Sequence, residues 1–352
     1  MHIMKNSNSI SAKRILQQLK ADLIGKDSHR GITLTYAWLA NQFGHISLGF
    51  IPTFLVYYLL NLEALKAALY VSIFWFLFEL YNFLGPLLSK RGSNSDVLFV
   101  PKKSKYIFNP KWLNVAFDTF TDVCFFLLGC FLFAFCIHKF NFKILIIVIA
   151  GLVIYLAFAT KYWYRTKMYQ FYARFPFQFR LSQWFFSINS ADKLKVENFL
   201  ELKNRGNHLL IFGSLGAGKT SLGVGILNEL SIKNNTCLYV NAIKMFNYFF
   251  KDEDDVLESH EIWNWETADF LMIDDINPSE PIQDELISPT KLLSFIDTLK
   301  LENKKNRKIL KDKNIIWILG SNQALDGTNT NKWEEMLLHI GAEEHKISTI
   351  KL

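Results

Sequence analysis

The chain has 352 residues, half of them hydrophobic, and a formal net charge of +7. That is too apolar for an ordinary soluble enzyme and too long for one small domain. The charge is unevenly divided: residues 1–190 hold 20 Lys and Arg against 7 Asp and Glu, and residues 191–352 hold 19 against 25, a balance of +13 and −6. The positive excess therefore belongs to the half with the apolar runs, where anionic lipid is a nearer partner than nucleic acid.

Residues 1–32 form a basic N-terminal segment, and within it the spacing of Ile10, Ile15, Leu16, Leu19, Leu23 and Ile24 predicts a short amphipathic helix. Such a helix either lies on a membrane or packs on the protein. No apolar core stands beside a small-residue cleavage site, so a removed secretory signal is not expected. Apolar runs follow at 36–60, 65–88, 118–138 and 143–160, each near the ~20 residues that cross hydrocarbon. They predict a transmembrane domain of four helices over 33–160. Cys124, Cys130 and Cys136 share one of these runs and Cys237 stands alone, a pattern of small hydrophobes in a reducing compartment and not of a disulfide framework.

Basic residues cluster before the first span, between the second and third, and after the fourth, as in Lys13, Arg14, Lys102, Lys103, Arg165 and Lys167. The positive-inside rule then places both termini in the cytoplasm, where nucleotide is available. Residues 161–190 interleave aromatic side chains with Arg and Lys, as a membrane-interface linker does. The same interleaving suits stacking of nucleic-acid bases, but its place directly after the last span favours the interface.

The remaining residues, 191–352, read as a cytoplasmic α/β domain. The stretch Gly213, Ser214, Leu215, Gly216, Ala217, Gly218, Lys219, Thr220 follows the apolar strand "HLLIF" and precedes a helical pattern that opens with Ser221. This is G-x-x-x-x-G-K-[ST] in the context a phosphate loop requires. Backbone N–H groups curl around phosphate oxygens, Lys219 bridges the β and γ phosphates, and Thr220 offers a hydroxyl to Mg²⁺. A second strand, "DFLMIDD", ends in Asp274 and Asp275. There Asp274 is placed to hold Mg²⁺ and Asp275 to orient or deprotonate the attacking water. A third strand at 314–323 ends in Ser321 and Asn322, whose polar side chains suit a γ-phosphate contact.

Residues 199–323 resemble AAA+-type P-loop ATPases, most closely the bacterial helicase loaders and transposition-helper ATPases. The segments that carry the resemblance are "NHLLIFGSLGAGKTSLGVGILNEL", "TCLYVNAIKMF", "ADFLMIDDI" and "IIWILGSN". It implies a three-layer domain around a mostly parallel five-stranded sheet, ATP and Mg²⁺ as cofactors, ATP hydrolysis and a homo-oligomer; with the predicted spans, the expected location is the bacterial inner membrane. It gives Asn322 the sensor-one role. It also implies an arginine that completes a neighbouring subunit's site; Arg307 is the only arginine after the phosphate loop, and it precedes the sensor strand. Lys332 is the alternative, and the basic run 303–313 also reads as a solvated helix end. The closing stretch "HKISTIKL" fits a fifth core strand, and the helical lid of the family is not expected. DNA-linked partners follow from the same resemblance, although the −6 balance and the acidic run at 251–261 oppose phosphate binding.

Glu79 lies inside the second span and Asp122, four residues after Asp118, inside the third; His45 is near the start of the first. Intramembrane acids are either functional or neutral and hydrogen-bonded within a bundle. Three functions fit the whole chain: a membrane-tethered ATPase switch in signalling, phage defence or mobile-element accessory work, a membrane-localised DNA loader, and an ATP-gated channel or transporter component. No ABC-type signature motif supports the last. The first is the expectation, with lipid, further copies of the chain and a protein as its partners, and nucleic acid less favoured.

Overall fold

In the computed structural model, residues 9–24, 32–88, 106–138, 142–250, 262–276, 288–297, 301–320 and 328–352 are described. The chain divides into a helical unit, Ser11–Lys167, and a sheet unit that begins at Met168.

The helical unit holds α1 (Ala12–Leu23), α2 (Leu34–Leu59), α3 (Ala64–Leu88), α4 (Trp112–Ile137) and most of α5 (Lys143–Tyr172). Three of the four predicted spans, Ala64–Gly85, Trp112–Ile137 and Lys143–Tyr172, are long and apolar enough to cross a membrane. The corresponding helix α2 is as long, but Asn41, Gln42 and His45 in its first half dilute its apolar character, and it is not among them. Apolar side chains cover the outside of the unit: Phe43, Leu55, Ile73, Phe74, Ile147 and Phe158 are all exposed. A surface of this kind suits lipid better than water.

Helix α4 packs against both α2 and α3. Its backbone approaches α2 so closely that a Cβ on Gly129 would stand 2.1 Å from the carbonyl oxygen of Ile46, and one on Gly49 would stand 2.2 Å from that of Phe126. Small residues permit this approach, which is how helices associate where no hydrophobic effect separates protein from lipid. Pro52 lies inside α2 and donates no N–H to the carbonyl four residues back. That carbonyl, Leu48, accepts the Trp75 indole N–H at 2.9 Å instead, and the Trp75 ring stacks on Phe126 at 4.3 Å. Helix α1 is tied into the unit by its buried Asp22, which accepts from Gln18 at 2.9 Å, from Thr33 at 3.3 Å and from the Tyr164 hydroxyl of α5 at 3.2 Å. Of the two placements open to this helix, packing on the protein is thus present, while Leu16, Leu23 and Ile24 stay exposed.

The sheet unit contains α6 (Ser190–Leu200), β1 (His208–Phe212), α7 (Lys219–Ile232), β2 (Cys237–Asn241), α8 (Ala242–Phe250), β3 (Phe270–Asp274), α9 (Pro289–Ile296), α10 (Leu301–Asp312), β4 (Asn314–Leu319), α11 (Thr328–Ile340) and β5 (Ile347–Lys351). The five strands are parallel in the order β2-β3-β4-β1-β5. Strands β1, β3 and β4 are buried along their whole length, which is why each reads as an unbroken apolar run and not as an alternation. Helix α7 crosses the sheet where Gly223 leaves room for Met272 and Ile318; a Cβ there would meet the Met272 methyl at 2.7 Å.

The residues between α5 and α6 belong to this unit. Gln170 Nε2 donates to Asn228 Oδ1 at 2.7 Å, Asn228 Nδ2 donates to the Phe179 carbonyl at 2.8 Å, and Arg180 forms an ion pair at 2.8 Å with the buried carboxylate of Glu229. Leu181 fills the space beside Gly225, where a Cβ would stand 3.0 Å from its Cα. The aromatic and basic stretch read as a membrane-interface linker thus spends its second half covering the outer side of α7.

Candidate nucleotide site

In a parallel sheet, ligands are met at the carboxyl ends of the strands. Strand β1 ends at Phe212, and the chain then turns through Gly213–Gly218 into the N-terminus of α7. The turn requires left-handed backbone at two positions, and glycine occupies both: Gly216 has φ +79° and Gly218 φ +83°. Their conformation turns successive N–H groups toward one concavity, where the helix dipole adds to the attraction for anions.

The Lys219 ammonium donates to the carbonyls of Gly213 at 2.8 Å and Ser214 at 2.9 Å, so it lies against the loop itself. Burial lowers its pKa and the nearby Asp274 carboxylate raises it, with a net fall. Thr220 Oγ1 donates to Asp274 Oδ1 at 3.2 Å. This pair brings a hydroxyl from the start of α7 to a carboxylate at the tip of β3, although β1, the strand that leads into α7, and β3 are not neighbours: β4 lies between. A hydroxyl and a carboxylate are hard oxygen donors of the kind Mg²⁺ takes, and Mg²⁺ commonly uses one or two carboxylates with substrate phosphates completing its shell. Among the described residues no group of three or more His, Cys, Asp and Glu is placed to hold a metal unaided. The donor set therefore fits a Mg²⁺ ion delivered with nucleotide, which Thr220 and Asp274 would hold.

The two acids at the end of β3 differ in setting. Asp274 is buried, and burial raises its pKa; the Asp275 N–H, donating to Oδ1 at 2.9 Å, works against that rise, as do Thr220 and Tyr239. Asp275 is exposed and holds φ +54°, a left-handed conformation that a non-glycine residue seldom adopts. Its strain turns the chain sharply as it leaves the sheet, and it separates the two carboxylates into one inner and one outer position.

Two parts of the site carry no motif. The Trp184 indole N–H donates to the Gly218 carbonyl at 3.0 Å, and the Phe186 ring lies so close to Gly218 that a Cβ there would meet it at 2.4 Å. Phe185 stacks on Phe186 at 4.6 Å and is itself exposed. The phenol of Tyr239 donates to Asp274 Oδ2 at 3.2 Å. The signal for Tyr239 is the strand register: Tyr239 pairs with Met272, so it shares a sheet face with Asp274 two residues on.

Asn322, with Ser321, lies outside the described residues; β4, the strand before it, runs between β1 and β3. The Arg307 guanidinium is bound within its own chain, by the Asp297 carboxylate and the His339 carbonyl, which joins α10 to α9 and α11. In the helical unit, Asp122 Oδ1 on α4 and His45 Nδ1 on α2 are 3.4 Å apart, and Gln42 also reaches His45 Nδ1 at 3.1 Å. Glu79 on α3 is within electrostatic range of both Asp122 and His45.

No family model and no curated protein matches the chain significantly. Among solved structures, it is similar to the crystal structure of the DnaC helicase loader, at 17% identity and a TM-score of 0.33, covering 49% of this chain and 96% of that one. It is likewise similar to the crystal structure of DnaI, at 17% identity and a TM-score of 0.31, over 49% of this chain and 90% of that one. Apart from these likenesses, the parallel five-stranded sheet and the loop at 213–220 after β1 fit a P-loop NTPase fold.

Proposed function

We propose that the chain is a membrane-attached ATPase that binds Mg²⁺-ATP at the carboxyl edge of its sheet and hydrolyses it to switch its own conformation. The observation that carries this reading is the convergence of Lys219 and Thr220, at the start of the helix that follows β1, with Asp274 at the end of the non-adjacent strand β3. Lys219 would neutralise phosphate charge, Thr220 and Asp274 would hold the metal, and Asp275, exposed beside them, would orient or accept a proton from water. The apolar coat of the helical unit and its three span-length helices support membrane attachment, with the positive-inside pattern favouring a cytoplasmic sheet unit. Attachment suits a nucleotide switch in signalling or defence, in which ATP orders loops at the sheet edge and hydrolysis releases them.

The DNA-loader reading has less support from the described residues. Within the basic run of α10, Lys305 pairs with Glu266 at 3.2 Å and Arg307 with Asp297, which removes part of the charge a nucleic acid would meet.

The test is ATP hydrolysis by full-length protein in detergent, wild type against Asp274→Asn. The wild type should release phosphate in a Mg²⁺-dependent manner, and the variant should lose more than the roughly 10- to 100-fold that removal of an outer partner of a metal ligand costs. Equal rates would overturn the assignment.

A further inference from the structure

Tyr239 belongs to no motif, yet it is the point where β2 meets the candidate metal site. Its phenol donates to Asp274 Oδ2, at 3.2 Å, while Thr220 and the Asp275 N–H both donate to Oδ1. The two oxygens of one buried carboxylate thus face different donors from three parts of the chain. The backbone beneath the phenol is held from both sides. On one side β2 pairs with β3, Tyr239 opposite Met272; on the other, the outer edge of the sheet, the Tyr239 N–H donates to the Ala173 carbonyl at 2.9 Å. Ala173 is buried immediately after the end of α5, and the following Arg174 turns the chain with φ +59°.

A carboxylate that touches a metal by one oxygen is free to rotate unless its other oxygen is fixed, and outer hydrogen-bond partners of metal ligands supply that restraint. We infer that Tyr239 is a positioning residue for the metal: its phenol fixes the rotation of Asp274 so that Oδ1 stays on the Thr220 side. The inference rests on the ATPase reading above. It concerns the metal and not the phosphates, which the loop and Lys219 would hold without help from β2.

The experiment is a titration of full-length protein in detergent with a fluorescent ATP analogue, once in EDTA and once across a range of Mg²⁺ concentrations, for wild type and Tyr239→Phe. The variant keeps the ring and loses only the donor. The Mg²⁺ concentration at half-maximal effect should rise about tenfold, with unchanged affinity for the metal-free analogue and an unchanged thermal midpoint. An unaltered Mg²⁺ dependence overturns the inference while leaving the ATPase reading in place. Equal weakening with and without Mg²⁺, accompanied by a lowered thermal midpoint, overturns it as well, because Tyr239 would then be a packing residue only. Wild-type protein that binds no analogue at all defeats both readings together.

Discussion

The indole N–H of Trp184 donates to the carbonyl of Gly218 at 3.0 Å, so a residue placed well before β1 braces the end of the phosphate loop. Gly218 is also the N-cap of α7, and its carbonyl takes a further bond from Ser221 Oγ at 2.9 Å. The left-handed turn at Gly218 is thereby fixed from outside the loop. Trp184→Phe keeps an aromatic ring at this buried position and removes the donor. A bond of this kind is worth about 1 kcal/mol, so nucleotide affinity should fall about fivefold, measured by equilibrium binding of a fluorescent ATP analogue. An unchanged affinity would mean that the loop holds its shape without the brace.

His208 gives the sheet unit an acid limit. It is buried at the start of β1, and its Nδ1 accepts the Trp317 indole N–H at 3.3 Å, an arrangement that only the neutral ring permits. Burial pushes its pKa down from 6.5 to about 4. Between those values the unfolded chain binds more protons than the native one, so stability is complete above pH 6.5 and is lost progressively as pH falls toward 4, by about 3 kcal/mol. Hydrogen exchange of the β1 and β4 amides in full-length protein, corrected for intrinsic rates, should show this loss. His208→Gln, which retains an acceptor, should flatten the dependence across that window.

In the helical unit the close crossing of α2 and α4 sets a steric test. A Cβ on Gly129 would stand 2.1 Å from the Ile46 carbonyl oxygen, and both partners are backbone, so no side chain can move aside. Gly129→Ala should therefore destabilise the unit by about 1–3 kcal/mol, the usual cost of overpacking, read as an earlier midpoint in detergent unfolding. Gly151→Ala, with open space around its Cβ inside α5, should not lower the midpoint.

What could be read from the sequence divides along a physical line. The phosphate loop was legible because its function is local: glycines at left-handed positions, Lys219 and Thr220 are contiguous in the chain, and a strand and helix frame them. Asp274 was legible because a fully buried parallel strand is an apolar run, and an acid at its end marks the sheet's carboxyl edge. Tyr239 and Trp184 act through space, and nothing in their immediate neighbours marks them. Tyr239 becomes visible only from the pairing of β2 with β3, and Trp184 only once its segment is seen to lie on α7. The aromatic stretch after α5 shows the same ambiguity, since Phe, Trp and Arg side chains suit a membrane interface and a helix-covering segment equally by composition. Helix α2 shows a limit of hydropathy: Asn41, Gln42 and His45 dilute it, although Gln42 is buried and His45 faces Asp122 of α4.

The central claim is that this chain binds nucleotide through Lys219. It is tested most directly by equilibrium binding of a fluorescent ATP analogue to full-length protein in detergent, wild type against Lys219→Ala, with matched thermal midpoints to verify folding. The account predicts saturable Mg²⁺-dependent binding by the wild type and at least about a hundredfold loss in the variant, which corresponds to about 2.7 kcal/mol. Binding of equal strength by both proteins would contradict it.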